Sequence, residues 1–316
     1  MGENAKKIGA KLEGFGEYLF SHIGWSELAR DLEIKCERKN IHEKQTHGLD
    51  LVMDFENPYL KKRQGVIIEC KNRQMKSITS EEIQKWINEL IYSIECAGSA
   101  KELAHIGLNS CSLNTGLLLI HANDGMFNKE KFYNYLMKCF VKSRRRAINI
   151  FVAGNDMINQ WTSLIEKLGR DYNQENHFAY VCPSIDGSNM AKNQFLTIDQ
   201  LFSKYILAEN IVANSITSGG TPWALPKKQK IMLSFDTISK ESFEYMWSMY
   251  KTFQFQDADE FVFLFYPRKK DDKEFVNSYF IDTLKKNNIS IDKEMEKKIV
   301  VDFIDNRELS PVDTKG

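Results

Sequence analysis

The sequence predicts an α/β protein in two parts. The first is a mixed central sheet flanked by helices, in the order helix, strand, strand, strand, helix, strand. A second, smaller βαβαβ domain follows. Three observations carry this prediction. Apolar residues recur every three to four positions from Lys6 to Ile23 and from Ile83 to Ile94, which is one face of a helix. Short runs such as Gly116 to His121 and Phe261 to Tyr266 are almost continuously apolar, as buried parallel strands are. The two kinds of segment alternate along most of the chain, the pattern of helices layered on a sheet.

Taken in order, the first helix presents Ile8, Leu12, Phe15, Leu19 and Ile23, and Gly24-Trp25 ends it. Strands are expected at Leu32 to Glu37, Gly48 to Phe55 and Gly65 to Lys71, the last two joined by a hairpin loop that runs from Asn57-Pro58 to Gly65. Thr79-Ser80-Glu81-Glu82 fits a capping box ahead of a long helix, whose apolar face is Ile83, Trp86, Ile87, Leu90, Ile91 and Ile94. A strand (Gly116 to His121), a helix (Lys129 to Lys142), a strand (Ile148 to Ala153), a helix (Met157 to Leu168) and a strand (Phe178 to Cys182) come next. A helix from about Asp199 to Ala208 closes the first part, 1–210. The Ser/Thr/Gly-rich stretch from Ser215 to Pro222 marks 211–226 as a linker. In 227–316, strands at Ile231 to Phe235, Phe261 to Tyr266 and Ile299 to Ile304 alternate with helices at Lys240 to Phe253 and Lys273 to Asn287.

Composition excludes several classes. The chain has 316 residues, with 43 Lys plus Arg against 43 Asp plus Glu, so it is not a uniformly basic nucleic-acid protein. No apolar run is long enough to span a bilayer, and Met1 to Lys7 has no apolar signal region, which predicts a cytoplasmic protein with no membrane contact. The cysteines Cys36, Cys70, Cys96, Cys111, Cys139 and Cys182 form no Cys-x-x-Cys pair and read as reduced core thiols, not a disulfide or zinc framework. There is no phosphate-binding loop, no Gly-x-Ser-x-Gly elbow, and no metal-ligand spacing among the histidines, so no nucleotide cofactor is expected.

One constellation carries chemistry. Asp50 opens the second strand in Thr46-His47-Gly48-Leu49-Asp50, and the third strand ends in Val66-Ile67-Ile68-Glu69-Cys70-Lys71. Residues two apart on a strand share a face, so Glu69 and Lys71 project together, and a neighbouring strand can set Asp50 beside them. Two carboxylates and the Cys70 carbonyl would make a hard oxygen site suited to Mg²⁺. Such an ion lowers the pKa of bound water and offsets charge on a phosphate. Lys71 would orient the attacking water and stabilise that charge.

This arrangement resembles the PD-(D/E)XK (restriction-endonuclease-like) nuclease superfamily over about residues 8 to 155. Other Glu-x-Lys tripeptides occur, at Glu33, Glu37 and Glu296, but only Glu69 to Lys71 ends an apolar strand after a Gly-x-Asp strand and before a capped helix. The segment Gly14-Phe15-Gly16-Glu17-Tyr18-Leu19 running into Gly24-Trp25 resembles the superfamily's first helix with its acidic residue; Gly48-Leu49 stands where the superfamily's proline would precede Asp50. The resemblance implies catalytic roles for Asp50, Glu69 and Lys71, with Glu17 on the metal or one of its waters, Glu13 as its rival one turn earlier, and Gln84 steadying the lysine or a phosphate. Mg²⁺ is the implied ion, and Mn²⁺ could substitute.

Basic residues at Lys61, Lys62, Arg63, Arg73 and Lys76 flank the expected site and could track a phosphate backbone; His47 could touch phosphate too. A second basic run, Lys129 to Arg146, is weighted lower. The expected function is hydrolysis of DNA phosphodiester bonds in bacterial anti-phage defence or restriction. Activity would be gated by a partner protein or self-association, with 227–316 as the docking module. The alternatives are a silent nuclease-fold subunit that grips DNA or a partner, and a nuclease acting on RNA.

Overall fold

The computed structural model describes residues 2–60, 62–106, 111–142, 147–172, 177–183, 191–218, 221–253, 257–287 and 291–309. The chain divides into two units: Met1–Thr162 with the chain from Glu308 on, and Ser163–Arg307.

The first unit opens with helix α1 (Gly2–His22), followed by β1 (Ser26–Lys35), the single turn α2 (Lys39–His42), β2 (Thr46–Asn57) and β3 (Lys62–Arg73). Then come α3 (Ser80–Ala97), β4 (Cys111–Ala122), α4 (Lys129–Leu136), β5 (Asn149–Ala153) and α5 (Asn155–Asp171), in which the division between units falls. The sheet order is β1-β2-β3-β4-β5. β1, β2 and β3 pair antiparallel, while β3, β4 and β5 pair parallel, so the sheet is mixed as expected.

Gly24, at φ 85°, lets the chain leave α1. The Gly24 and Trp25 amides close onto the Ser21 and Phe20 carbonyls at 3.0 Å each, which turns the chain straight into β1. β1 therefore begins six residues earlier than the apolar pattern suggested, because its first half is only partly covered and carries mixed polarity. α1 lies against Leu51 and Leu119, which come within 3.3 and 3.7 Å of a Cβ placed on Gly16. The other face of the sheet meets α3 through Ile83, Trp86, Ile87, Leu90, Ile91 and Ile94, packed with Val52, Ile67, Leu118 and Ile120. Burial of each such side chain contributes about 1.5–3 kcal/mol, which makes α3 the main anchor of the sheet. The Thr79 hydroxyl caps α3 by accepting from the Glu82 amide.

The second unit contains β6 (Phe178–Cys182), β7 (Ala191–Asn193), α6 (Ile198–Leu201), β8 (Tyr205–Ser218), β9 (Thr221–Ser234), α7 (Lys240–Thr252), β10 (Glu260–Phe265), α8 (Asp272–Asn287), α9 (Lys293–Lys298) and β11 (Ile299–Phe303). Its sheet order is β11-β10-β9-β8-β6-β7, with β9, β10 and β11 parallel, which gives the expected βαβαβ segment.

Two expectations need correction here. The helix expected over Asp199 to Ala208 is one capped turn, after which Tyr205-Ile206-Leu207-Ala208 enters β8; a four-residue apolar run suits a strand as well as a helix. The expected linker 211–226 lies within the β8–β9 hairpin, paired from Tyr205↔Ser234 to Ser218↔Thr221, so the first part does not end at 210. Gly-Gly between strands signals a tight hairpin as strongly as a linker. Pro222 and Pro226 are tolerated because β9 pairs with β10 only from Gln229 on, which, among the described residues, leaves that stretch of β9 with a strand on one side alone.

Two predictions follow from this packing. A Cβ on Gly116 of β4 would stand 2.8 Å from Ile94 and 2.9 Å from Leu90 on α3. Gly116→Val should therefore cost about 1–3 kcal/mol, read as a lower urea midpoint with an unchanged slope. The second concerns His121, which is buried on β4 with Nδ1 3.2 Å from Asn72 Oδ1. Burial pushes its pKa down to about 4 from 6.5. The unfolded chain therefore takes up the proton first, and stability present above pH 6.5 drains away as pH falls toward 4, by at most about 3 kcal/mol. His121→Gln should flatten that part of the stability–pH curve.

Candidate active site

The site lies where two strands part. β2 and β3 pair from Asn57↔Lys62 as far as Leu51↔Ile68. Beyond that point β2 continues against β1 (Leu49↔Leu32) and β3 against β4 (Glu69↔Leu118). Asp50 and Glu69 are the first residues past the fork, one on each side. The Cys70 amide donates to Asp50 Oδ2 at 2.7 Å, so the carboxylate satisfies a donor near the fork and bridges the two strands.

Glu69 is buried and Lys71 half-buried, and the Lys71 ammonium donates to Glu69 Oε1. Burial pushes Lys71 down, but Glu69 and Asp50 outweigh it, so its pKa sits above the ordinary lysine value and the ammonium stays charged. Burial, with the charge of Asp50 added, raises Glu69 to about 7 against the pull of Lys71. Asp50 is raised by burial and by Asp31, opposed by the Cys70 amide and Lys71. The Cys70 thiol is pushed far up by burial and remains protonated, which leaves only that residue's backbone carbonyl as a donor.

Two further carboxylates face this group. Glu13, on α1, is raised to about 7 by burial and then by Asp50, by Asp31 (charge and a side-chain hydrogen bond) and by Glu69. Asp31 sits on β1 at φ 46°, between Arg30 and Leu32, which pair with Leu51 and Leu49 on either side of Asp50. Four acidic side chains thus share one small region with one lysine. Glu13, Asp50 and Glu69, which burial and neighbouring charge keep from ionising freely, fit a hard divalent cation, which would relieve that repulsion.

The structure does not bring every expected residue here. Glu17 is taken up by Arg30, which also holds Glu27 at 2.6 Å, and Glu13 occupies the position expected of it; helical spacing allowed either. Gln84 does not reach the lysine. Its Nε2 donates to the Phe140 carbonyl at 3.0 Å and to Asn88 Oδ1 at 3.1 Å, and its Oε1 accepts from the Phe140 amide at 2.9 Å. It ties α3 to the chain after α4, which stops at Leu136, short of the expected Lys142. His47 is buried, with its Nε2 3.3 Å from His42 Nδ1.

The basic residues also separate. Arg73 and Lys76 are exposed just past Lys71. Lys62 and Arg63 stand six to seven residues before Glu69 along β3, roughly 20 Å away at ~3.3 Å per residue, and Arg63 is paired with buried Asp54. Lys61, like Arg144, Arg145 and Arg146 of the second basic run, lies outside the described residues. Asp31 was missed because β1 starts earlier than its apolar pattern suggests.

A mixed sheet between helices, with an Asp and a Glu-x-Lys at the parting of its two central antiparallel strands, defines a PD-(D/E)XK nuclease domain. Residues 1–157 match the family model described as the GAPS4 protein PD-(D/E)XK nuclease domain, and this half of the chain belongs to that defence-associated family. No curated protein matches the chain. A solved structure described as Aa-Ago with externally bound siRNA is 10% identical, covers 88% of this chain and 40% of its own, and has a TM-score of 0.18, too low to carry any argument. Members of the superfamily usually use divalent metals. Among the described residues, no helix is long and apolar enough to cross a membrane.

The carboxylate cluster generates a prediction. A divalent cation at ten times its Kd should stabilise the protein by about 1.4 kcal/mol, seen as a rise in Tm. Asp50→Asn and Glu69→Gln should abolish the rise and Glu13→Gln weaken it, while Glu17→Gln leaves it intact. An unchanged rise in Glu13→Gln with loss in Glu17→Gln would return the α1 role to Glu17.

Proposed function

We propose that this nuclease domain hydrolyses phosphodiester bonds in DNA with Mg²⁺, for which Mn²⁺ could substitute. The observation that carries the reading is Asp50, Glu69 and charged Lys71 together at the β2–β3 fork. Asp50, Glu69 and the Cys70 carbonyl would hold the ion, and Glu13 would hold it or one of its waters. The ion, when bound, supplies Lewis acidity toward water and phosphate. Lys71, fully protonated, would leave Glu69 for the attacking water and the scissile phosphate, where its charge is worth most in a site shielded from solvent. Arg73 and Lys76, exposed beside it, would hold the adjacent backbone, and binding would weaken with salt.

The family's association with defence supports a role against phage in the cytoplasm. A nuclease in that role requires restraint in its host, and a partner protein or self-association would supply it. The α/β segment 227–316 is the docking candidate; up to Arg307 it belongs to the second unit.

Cleavage of linear, nicked, supercoiled and single-stranded DNA, with RNA alongside, tests the reading. Lys71→Ala and Glu69→Ala should each lower Mg²⁺-dependent cleavage by at least about a hundredfold with binding retained. Undiminished cleavage in both variants would remove these residues from the reaction. Binding without cleavage by the unaltered chain, alone and with the product of its neighbouring gene, would make it a silent nuclease-fold subunit. Preferential cleavage of RNA would change the substrate and leave the site standing.

A further inference from the structure

Away from the carboxylates, four buried side chains converge at the start of β2. They are Cys36, just after β1; His42, on α2; His47, on β2; and Cys96, near the end of α3. One ligand atom from each lies within 4.8 Å of all the others. Cys36 Sγ is 3.3 Å and Cys96 Sγ 3.6 Å from His42 Nδ1, His47 Nε2 is 3.3 Å from that same nitrogen, and the two sulfurs are 3.9 Å apart.

We propose that Cys36, His42, His47 and Cys96 form a structural zinc site. Zn–S bonds of ~2.3 Å and Zn–N bonds of ~2.0–2.1 Å at tetrahedral angles put sulfurs about 3.8 Å apart, nitrogens about 3.3 Å apart and sulfur about 3.5 Å from nitrogen. Four of the six edges, at 3.9, 3.3, 3.3 and 3.6 Å, match that tetrahedron, and the two from His47 to the sulfurs lie within 4.8 Å. Hydrogen bonding alone explains the cluster poorly. In any tautomer, His42 Nδ1 has one lone pair or one proton, yet three partners crowd it.

The surroundings are those of a metal site. His42 Nε2 lies 2.9 Å from the Glu95 carboxylate, which fixes the ring so that Nδ1 points inward, and Arg38 holds the same carboxylate oxygen at 3.4 Å. The His42 ring stacks on Tyr92 with centroids 4.2 Å apart. The backbone amides of Glu37 and Arg38 are directed at the Cys96 sulfur. Two thiolates and two imidazoles select zinc over Mg²⁺, and four protein ligands leave no open position, so the site is structural and not catalytic. The spacing Cys-x5-His-x4-His-x48-Cys follows no compact motif, which is why neither the cysteines nor the histidines revealed it in sequence.

Full-length protein purified without chelator tests the proposal. Elemental analysis should find about one zinc per chain. Co²⁺ exchanged into it should give the visible bands of a tetrahedral sulfur-nitrogen site. Cys36→Ser with Cys96→Ser, and His47→Ala, should lose zinc at least about fivefold. Cys139→Ser, outside the cluster, and Asp50→Asn with Glu69→Gln should retain it, which separates this site from the nuclease reading. Because ligand variants can fail to fold, the unaltered chain is decisive. Folded protein with under about a tenth of a zinc per chain after Zn²⁺ refilling would overturn the proposal, as would stoichiometric iron or copper, or a Cys36–Cys96 disulfide in the unreduced chain.

Discussion

The site depends on one backbone event, the parting of β2 from β3 after Leu51 and Ile68. Where two paired strands diverge, amides near the fork lose their strand partners, and a buried amide left without a partner costs about 1–3 kcal/mol. Asp50 meets that demand at Cys70 with its carboxylate. The same side chain is therefore both the clasp of the fork and part of the candidate metal set. Glu69 and Lys71 then leave the fork on the β4 side, held by the parallel register from Glu69↔Leu118 to Lys71↔Ile120. Their positions are set by main-chain pairing in a buried sheet, a firmer support than any loop offers.

That rigidity gathers charge that water would keep apart. Glu13, Asp31, Asp50 and Glu69 converge on a region with Lys71, and burial is the leading cause of the raised values at Glu13, Asp50 and Glu69. Such a group destabilises the folded chain, and the α3 face of Ile83 to Ile94 and the α1 contacts with Leu51 and Leu119 offset it. Stability surrendered at one place and recovered in the core is the usual signature of a site selected for chemistry.

What the sequence revealed follows from how local each signal is. Asp50, Glu69 and Lys71 were legible because strand alternation and an apolar run before Glu69 determine their facing within a few residues. The α3 helix was legible because Thr79 and its apolar stripe are both local signals. Glu13 against Glu17 was not decidable, since one helical turn separates them and Arg30, on β1, makes the selection. Gln84 was misread because its partner is the backbone of Phe140, 56 residues away. The basic stretch 61–76 looked like one cluster in sequence; a strand running about 3.3 Å per residue carries Lys62 and Arg63 far from Arg73 and Lys76.

His47 and Asp50 show how one strand can serve two chemistries. They are three residues apart on β2, one facing sulfur and nitrogen, the other facing oxygen. A hard ion such as Mg²⁺ has no use for the thiolates, and zinc held by four protein ligands has no reason to leave them. The two proposed ions would thus not compete, although so little chain separates them. The zinc site would tie the end of β1, the start of β2 and the end of α3 together, just beyond the fork at which β2 leaves β3. It would stiffen β2 on the side where the sheet itself can no longer do so, which is where Asp50 must be held still.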